Sequence, residues 1–264
     1  MSKTTVSAFA KRREANEKIV MVTVSSAPEA AAAAAAGIDV LLVGDSLGMT
    51  VLGFETTLPV TMEMMLHHTA AVRRGAPEAF VIFDMPFMSY HCGIDEAVRN
   101  AGRALQEVGA DAVKLEGGAD PELVRRLVVS GIPVLGHLGL LPQSIQTAGG
   151  YKVVGRTEAA ADRVVAEAKA LEEAGAFGVV LECVPAALGE RVTRVLHIPT
   201  IGIGSGAGCS GQVQVLYDLL GLSGHKPKHA KCYAELGKLM RQALADYATE
   251  VKSGVFPAEE NAFK

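Results

Sequence analysis

The stretch "IDVLLVGDSLGM", Ile38 to Met49, is an apolar run that stops at an aspartate, a serine and a glycine-spaced loop. A short, continuous β-branched run of this kind is a strand buried on both faces, as in a parallel sheet. The same pattern recurs along the chain: a small-residue elbow, an apolar run, then a polar residue or glycine. It is seen in "EAFVIFDMP", "VGADAVKLEGG", "SGIPVLGHLG", "AGAFGVVLECV" and "HIPTIGIGSG". "EKIVMVTV" supplies a first strand and "GQVQVLYD" a last, weaker one.

Between these runs lie helical patterns. "APEAAAAAAAG" has a proline near its start and a glycine after its end, which are start and stop signals for a helix. "TMEMMLHHTAAVRRG", "IDEAVRNAGRALQEVG", "DPELVRRLVVSG" and "TEAAADRVVAEAKALEEAG" carry apolar residues at three-to-four spacing and end at glycine. A long amphipathic helix, "AELGKLMRQALADYATEVKSG", follows near the C-terminus. About eight strands alternating with helices predict an α/β (β/α)8 TIM barrel, with an open doubly wound sheet as the alternative. No Pro/Gly/Ser-rich linker divides residues 1–264, so one domain is expected.

Composition narrows the function. The chain has 264 residues, 49% of them hydrophobic, and a net charge of -4. The longest basic block is "KRR", which argues against a nucleic-acid partner. No apolar run reaches the roughly 20 residues of a membrane span, and the polar start does not resemble a secretory signal. The four cysteines, Cys92, Cys183, Cys209 and Cys232, form no C-x-x-C pair. A reduced, cytoplasmic protein is expected.

In a barrel, function gathers at the C-terminal ends of the strands. Asp45, Asp84, Glu116, His137 and Glu182 all fall at such ends, and Lys114 lies two residues before Glu116 on the same strand face. Any one of these could be a turn former or a satisfied core residue. Five strand ends with ionisable groups around one mouth are harder to attribute to turns. Asp45, Asp84 and Glu116, with Ser46, offer hard oxygen ligands that suit Mg²⁺. Lys114 adds a positive charge for a carboxylate or carbonyl, and Glu182 remains as a general base. These residue types predict metal-assisted proton abstraction beside a carbonyl.

The segments "LLVGDSLGM", "TLPVT", "DMPF", "DAVKLEGG", "GHLGLLPQS", "GGYKVVGR", "LECVP" and "IPTIGIGSG" resemble, in order and spacing, the ketopantoate hydroxymethyltransferase family. The resemblance runs from about Lys18 to the closing "VFPAEENAF". It implies a barrel, a cytoplasmic location, a homodecamer in many members, and a place in pantothenate and coenzyme A synthesis. It implies that Asp45, Asp84 and Glu116 bind magnesium and that Asp45, Ser46, Asp84 and Lys114 hold the keto acid. Glu182 matches the proton acceptor, and His137 lines the same pocket. The implied reaction moves a one-carbon unit from 5,10-methylenetetrahydrofolate to 3-methyl-2-oxobutanoate, giving 2-dehydropantoate.

The chain departs from the family pattern at Ser25 and Ser26 (a tyrosine and an acidic position), at Leu141, at Val154 and at Ser210. These changes lose polar groups, several of them on loops expected to face the mouth, and they predict altered substrate specificity. Two rival readings are a related magnesium-dependent aldolase or lyase acting on a 2-oxo acid enolate, and a non-catalytic oligomeric paralogue. The latter should have lost metal ligands or base, and all are present. His67-His68 reads as a helix face, Cys183 as a packing residue, and "GIGSGAGCSG" as lacking the Lys-Ser/Thr ending of a phosphate loop.

Overall fold

The computed structural model describes residues 4–118, 120–224 and 227–263. Eight strands form a closed, all-parallel barrel in sequence order: β1 Ile19–Thr23, β2 Val40–Val43, β3 Phe80–Asp84, β4 Ala112–Glu116, β5 Val134–Gly139, β6 Gly178–Glu182, β7 Thr200–Ile203 and β8 Gly211–Gln214. All eight apolar runs singled out in the sequence are strands, and β1 closes the ring on β8. The (β/α)8 expectation holds.

Helices α1 Val6–Glu14, α2 Ala27–Ala35, α3 Leu47–Thr50, α4 Met62–Gly75, α5 Ile94–Gln106, α6 Pro121–Val129, α7 Ile145–Ala148, α8 Glu158–Glu173 and α9 Ala186–Val195 accompany the barrel. Their starts are set by side chains: Ser26, Thr61, Asp120 and Thr157 accept hydrogen bonds from backbone N–H groups in the first turns of α2, α4, α6 and α8. Helices α1 and α9 were not foreseen. Phe9 of α1 is buried against Phe80 and Phe177, each ring centroid 5.1 Å away, and plugs the N-terminal end of the barrel. The β7–β8 connection is also unusual, since it crosses back in seven residues without a helix.

The barrel interior follows the period-two alternation of its strands. Ile19 and Met21, Val40 and Leu42, Phe80 and Ile82, Ala112, Leu135, Val180, Ile201 and Val213 form one apolar cluster. Continuing the same alternation upward gives Asp84 on β3, Lys114 and Glu116 on β4, His137 on β5 and Glu182 on β6. The inward rows thus change from apolar to ionisable at the C-terminal ends.

The chain divides into two compact units, Met1–Val215 and Leu216–Lys264. The second contains α10 Leu216–Leu219 and α11 Leu236–Ser253, whose C-terminus is stopped by Gly254 in the left-handed conformation, φ 75°. Leu239, Met240, Leu244, Tyr247 and Val251 are exposed along α11. Among the described residues no helix is long and apolar enough to cross a membrane.

Candidate active site

The strand register brings the polar ends together. Asp84 lies beside Lys114, Glu116 beside His137, and Gly139 beside Glu182. Lys114 Nζ donates to Asp84 Oδ1 at 2.6 Å, with both side chains buried. The backbone N–H of Asp45 donates to Asp84 Oδ2 at 3.3 Å, which draws the loop after β2 onto the end of β3. His137 stands between two carboxylates, with Nδ1 3.6 Å from Glu116 Oε1 and Nε2 3.2 Å from Glu182 Oε2. Neither ring nitrogen has an aligned hydrogen-bond partner, and neither does Glu116 Oε1. Charge rather than directed bonding holds this trio.

Two residues outside the strand ends complete the site. Gln143, in the loop after β5, is buried. Its Nε2 donates to Asp45 Oδ2 at 3.0 Å and to the Met85 carbonyl at 2.9 Å. Its backbone N–H donates to Glu116 Oε2 at 3.0 Å. Tyr90 donates its hydroxyl proton to Gln143 Oε1 at 2.7 Å, and the Tyr90 hydroxyl oxygen accepts from the Glu116 N–H at 3.3 Å. Gln143 therefore ties Asp45, Glu116 and Tyr90 into one network. In the sequence its only signal is a glutamine after Pro142 in the loop beyond a polar strand end.

Backbone geometry shapes the same mouth. A Cβ on Gly44 would lie 3.1 Å from Ser46 Oγ and 3.8 Å from Asp84 Oδ2, so Gly44 keeps the space between these groups open. Ser46 begins α3 without spending its hydroxyl on a capping bond. Gly48, by contrast, faces Val60, where a Cβ would come within 2.5 Å of a methyl group, so its role is packing. Gly139, at φ 98°, carries the chain across β6, and Leu140 N–H donates to the Glu182 carbonyl at 2.9 Å.

Burial and mutual repulsion govern the protonation states. Burial, reinforced by Asp84, raises the Asp45 carboxyl well above its ordinary value. Asp84 is also raised by burial, against the opposing pull of Lys114. Burial would raise Glu116 too, but His137 and Lys114 outweigh it and lower the carboxyl. Burial and Lys114 depress His137, yet Glu116 and Glu182 push it up to about 9. Lys114, despite burial, is held protonated by Asp84, Glu116 and Asp45. Four carboxyl groups face two cations, and burial with mutual repulsion raises two of those carboxyls; a divalent cation would favour their charged forms.

Every site residue expected from the sequence is brought to this mouth, while three of the departures from the family pattern are not open to it. Ser25 donates from its N–H and hydroxyl to Glu29 Oε2 at 2.6 and 2.9 Å, and its carbonyl meets His68 Nδ1 at 2.7 Å. Ser26 caps α2. Ser210 lies at the opposite end of the barrel, where it and Thr200 exchange hydrogen bonds at the starts of β8 and β7. The expectation that it faces the mouth is corrected, because the helix-free crossover has already descended to the bottom at that point. Leu141 approaches Gly117 at the end of β4, and Val154 N–H donates to the Cys183 carbonyl beside Glu182. Burial and Glu182 push the Cys183 thiol up to about 11, as suits a packing residue.

The family model described as ketopantoate hydroxymethyltransferase matches residues 3–259. A 3-methyl-2-oxobutanoate hydroxymethyltransferase of Syntrophus aciditrophicus is 57% identical over 99% of this chain and 97% of its own length. Namesakes from Carboxydothermus hydrogenoformans and Thermotoga maritima are each 53% identical, covering 100% and 96% of this chain and 96% and 94% of their own. Among solved structures, a phosphonopyruvate hydrolase complexed with oxalate and Mg²⁺ superposes with a TM-score of 0.64 at 10% identity, over 99% of this chain and 93% of that one. A 2,3-dimethylmalate lyase gives 0.61 at 16%, over 100% and 92%, and likenesses this distant speak for the barrel alone. Matched from end to end by the family model and by relatives above half identity, the chain belongs to the ketopantoate hydroxymethyltransferase family.

Proposed function

We propose that the protein transfers the one-carbon unit of 5,10-methylenetetrahydrofolate to 3-methyl-2-oxobutanoate, with Mg²⁺ as cofactor, giving 2-dehydropantoate for pantothenate synthesis in the cytoplasm. The observation that carries this reading is the buried mouth itself. It sets a paired lysine, a carboxylate base and surplus acidic oxygens around a space left open at Gly44.

The donor set fits magnesium. Asp45 and Asp84 adjoin, and Glu116 Oε1 is buried without a hydrogen-bond partner. Magnesium takes hard oxygen ligands and is usually bound through one or two carboxylates, retained waters and substrate oxygens. Asp45, Asp84 and Glu116 would hold it, and the ion would polarise the keto acid's carbonyl.

The chain's own groups do the rest. Lys114, fixed by Asp84, and the Ser46 hydroxyl receive the anionic oxygens of the keto acid. Glu182, less buried than its neighbours and oriented by His137, takes the C3 proton. The electron pair left on C3 forms the new bond to the donor's methylene carbon as one of that carbon's two bonds to nitrogen breaks. Water then displaces the second nitrogen, leaving the hydroxymethyl group on C3, while the C3 proton and one proton of the water end on the two freed nitrogens of tetrahydrofolate. His137 Nε2, 3.2 Å from Glu182 Oε2, positions that carboxylate for the transfer. Since Ser25, Ser26 and Ser210 have structural partners, Leu141 and Val154 are the departures left to alter specificity, and kinetic constants for the natural keto acid test that. A homo-oligomer, a decamer by family likeness, is supported by the exposed apolar row on α11.

The deciding experiment is exchange of the C3 proton of 3-methyl-2-oxobutanoate in D₂O with Mg²⁺ and no folate. Exchange is expected, lost in Glu182→Gln and sharply reduced in Asp84→Ala. Absence of exchange in the parent protein would overturn the assignment.

A further inference from the structure

The mouth suits a small keto acid, but the proposed reaction has a second and larger reactant. Its methylene group sits between a flat reduced pterin and an aminobenzoyl ring and must approach C3 from solvent. The loop between α7 and α8 places Tyr151 beside this entrance. The residue is 58% exposed, while its hydroxyl donates to Met49 Sδ at 3.7 Å. Met49 belongs to α3, which starts directly after Asp45 and Ser46, and is itself 39% exposed.

These two residues come from opposite walls. Met49 follows β2, and Tyr151 lies in the connection that leaves β5 and is tied through Val154 to the end of β6, three to four strands away in a ring of eight. Their contact therefore spans the mouth. The loop is anchored beside the base, since Val154 N–H donates to the Cys183 carbonyl at 3.0 Å. Gly149 and Gly150, at φ 64° and 111°, turn the chain just before the tyrosine. Burial of the phenol and the nearby charges of Glu182, Asp45 and Glu116 raise its ionisation above the ordinary value, so the polar tip lies in the field of the site.

A thioether is a weak acceptor and by itself gives little reason to hold an exposed tyrosine over a catalytic mouth. An aromatic face and a polarizable sulfur together make a surface on which a flat ring stacks. We propose that Tyr151 and Met49 form the platform that receives the heteroaromatic ring of the one-carbon donor, separate from the groups that hold the keto acid. This rests on the function proposed above.

The test splits the reaction in two. Proton exchange needs only the keto acid, whereas transfer needs the donor. Stacking of one ring on an aromatic side chain, removed by alanine, corresponds to about a tenfold change or more. Tyr151→Ala is expected to raise KM for 5,10-methylenetetrahydrofolate by about tenfold while exchange stays within about twofold. Tyr151→Phe, which keeps the ring, should stay within about threefold in both, and Met49→Ala should shift only the donor KM. A donor KM unchanged in Tyr151→Ala, or exchange falling as steeply as transfer, overturns the platform while leaving the transferase reading intact. If the parent protein exchanges the proton but accepts no methylene from the folate, the donor assignment fails and the platform with it. No exchange in the parent defeats the function itself.

Discussion

Gln143→Leu tests whether the loop after β5 organises the carboxylates of Asp45 and Glu116. The substitution preserves volume but removes three buried contacts: the acceptor for Tyr90, and the donor to both Asp45 and the Met85 carbonyl. Each stranded partner costs about 1–3 kcal/mol, or about 6 kcal/mol together at mid-range. Burying the leucine in place of an amide returns about 2 kcal/mol, leaving a loss of about 4 kcal/mol. For a chain of this size each kcal/mol moves the melting temperature by about 2–4 °C, so a fall of about 8–16 °C is expected by circular dichroism. Asp45 also loses the donor that favours its charged form, so Mg²⁺ affinity measured by titration calorimetry should fall together with stability. A melting temperature within about 2 °C of the parent, with unchanged Mg²⁺ affinity, would refute this account of the network.

Lys114→Met strands Asp84 next to Asp45. Breaking a buried pair from one side costs about 3–5 kcal/mol, so a lower melting temperature and a raised keto-acid KM are expected. Phe9→Ala opens the aromatic plug under the barrel and should cost about 3–5 kcal/mol in denaturant melts, while the exchange rate of the folded fraction is preserved. With Cys183 raised to about 11 by burial and Glu182, its thiolate is scarce at neutral pH. Alkylation followed by mass spectrometry should modify the exposed Cys92 first, with labelling of Cys183 climbing about tenfold per pH unit until its own ionisation is passed. Rapid labelling of Cys183 at pH 7 would contradict that environment.

The barrel was legible because most of its strands are short apolar runs closed by a polar residue or glycine, and burial on both faces leaves little other use for such runs. Helix α1 was less so: Phe9 is its one buried residue among "VSAFAKRRE", too little for a stripe. Helix α9 holds Gly189 in its interior, which weakens a helical reading, yet that glycine lets Ser205 approach where a Cβ would be 2.4 Å from its carbonyl. The strand-end acids, Lys114 and His137 could be found because period-two spacing fixes where a strand side chain points. Gln143 and Tyr90 escaped since they arrive on loops, whose path depends on tertiary packing. Ser210 misled for the same reason: a crossover without a helix reverses which end of the barrel a loop residue reaches.

The placement of Lys114 and Glu116 two residues apart on β4 has a consequence for how the site can change. Cation and anion share one pleat, so a single-residue insertion or deletion within that strand would rotate both into the surrounding helical layer and bring Val113 and Leu115 into the mouth. The Asp84 pairing and the neighbourhood of His137 would vanish in one step. Natural variation at this centre is thereby confined to exchanging side chains in place, and lengths can drift only in the loops above.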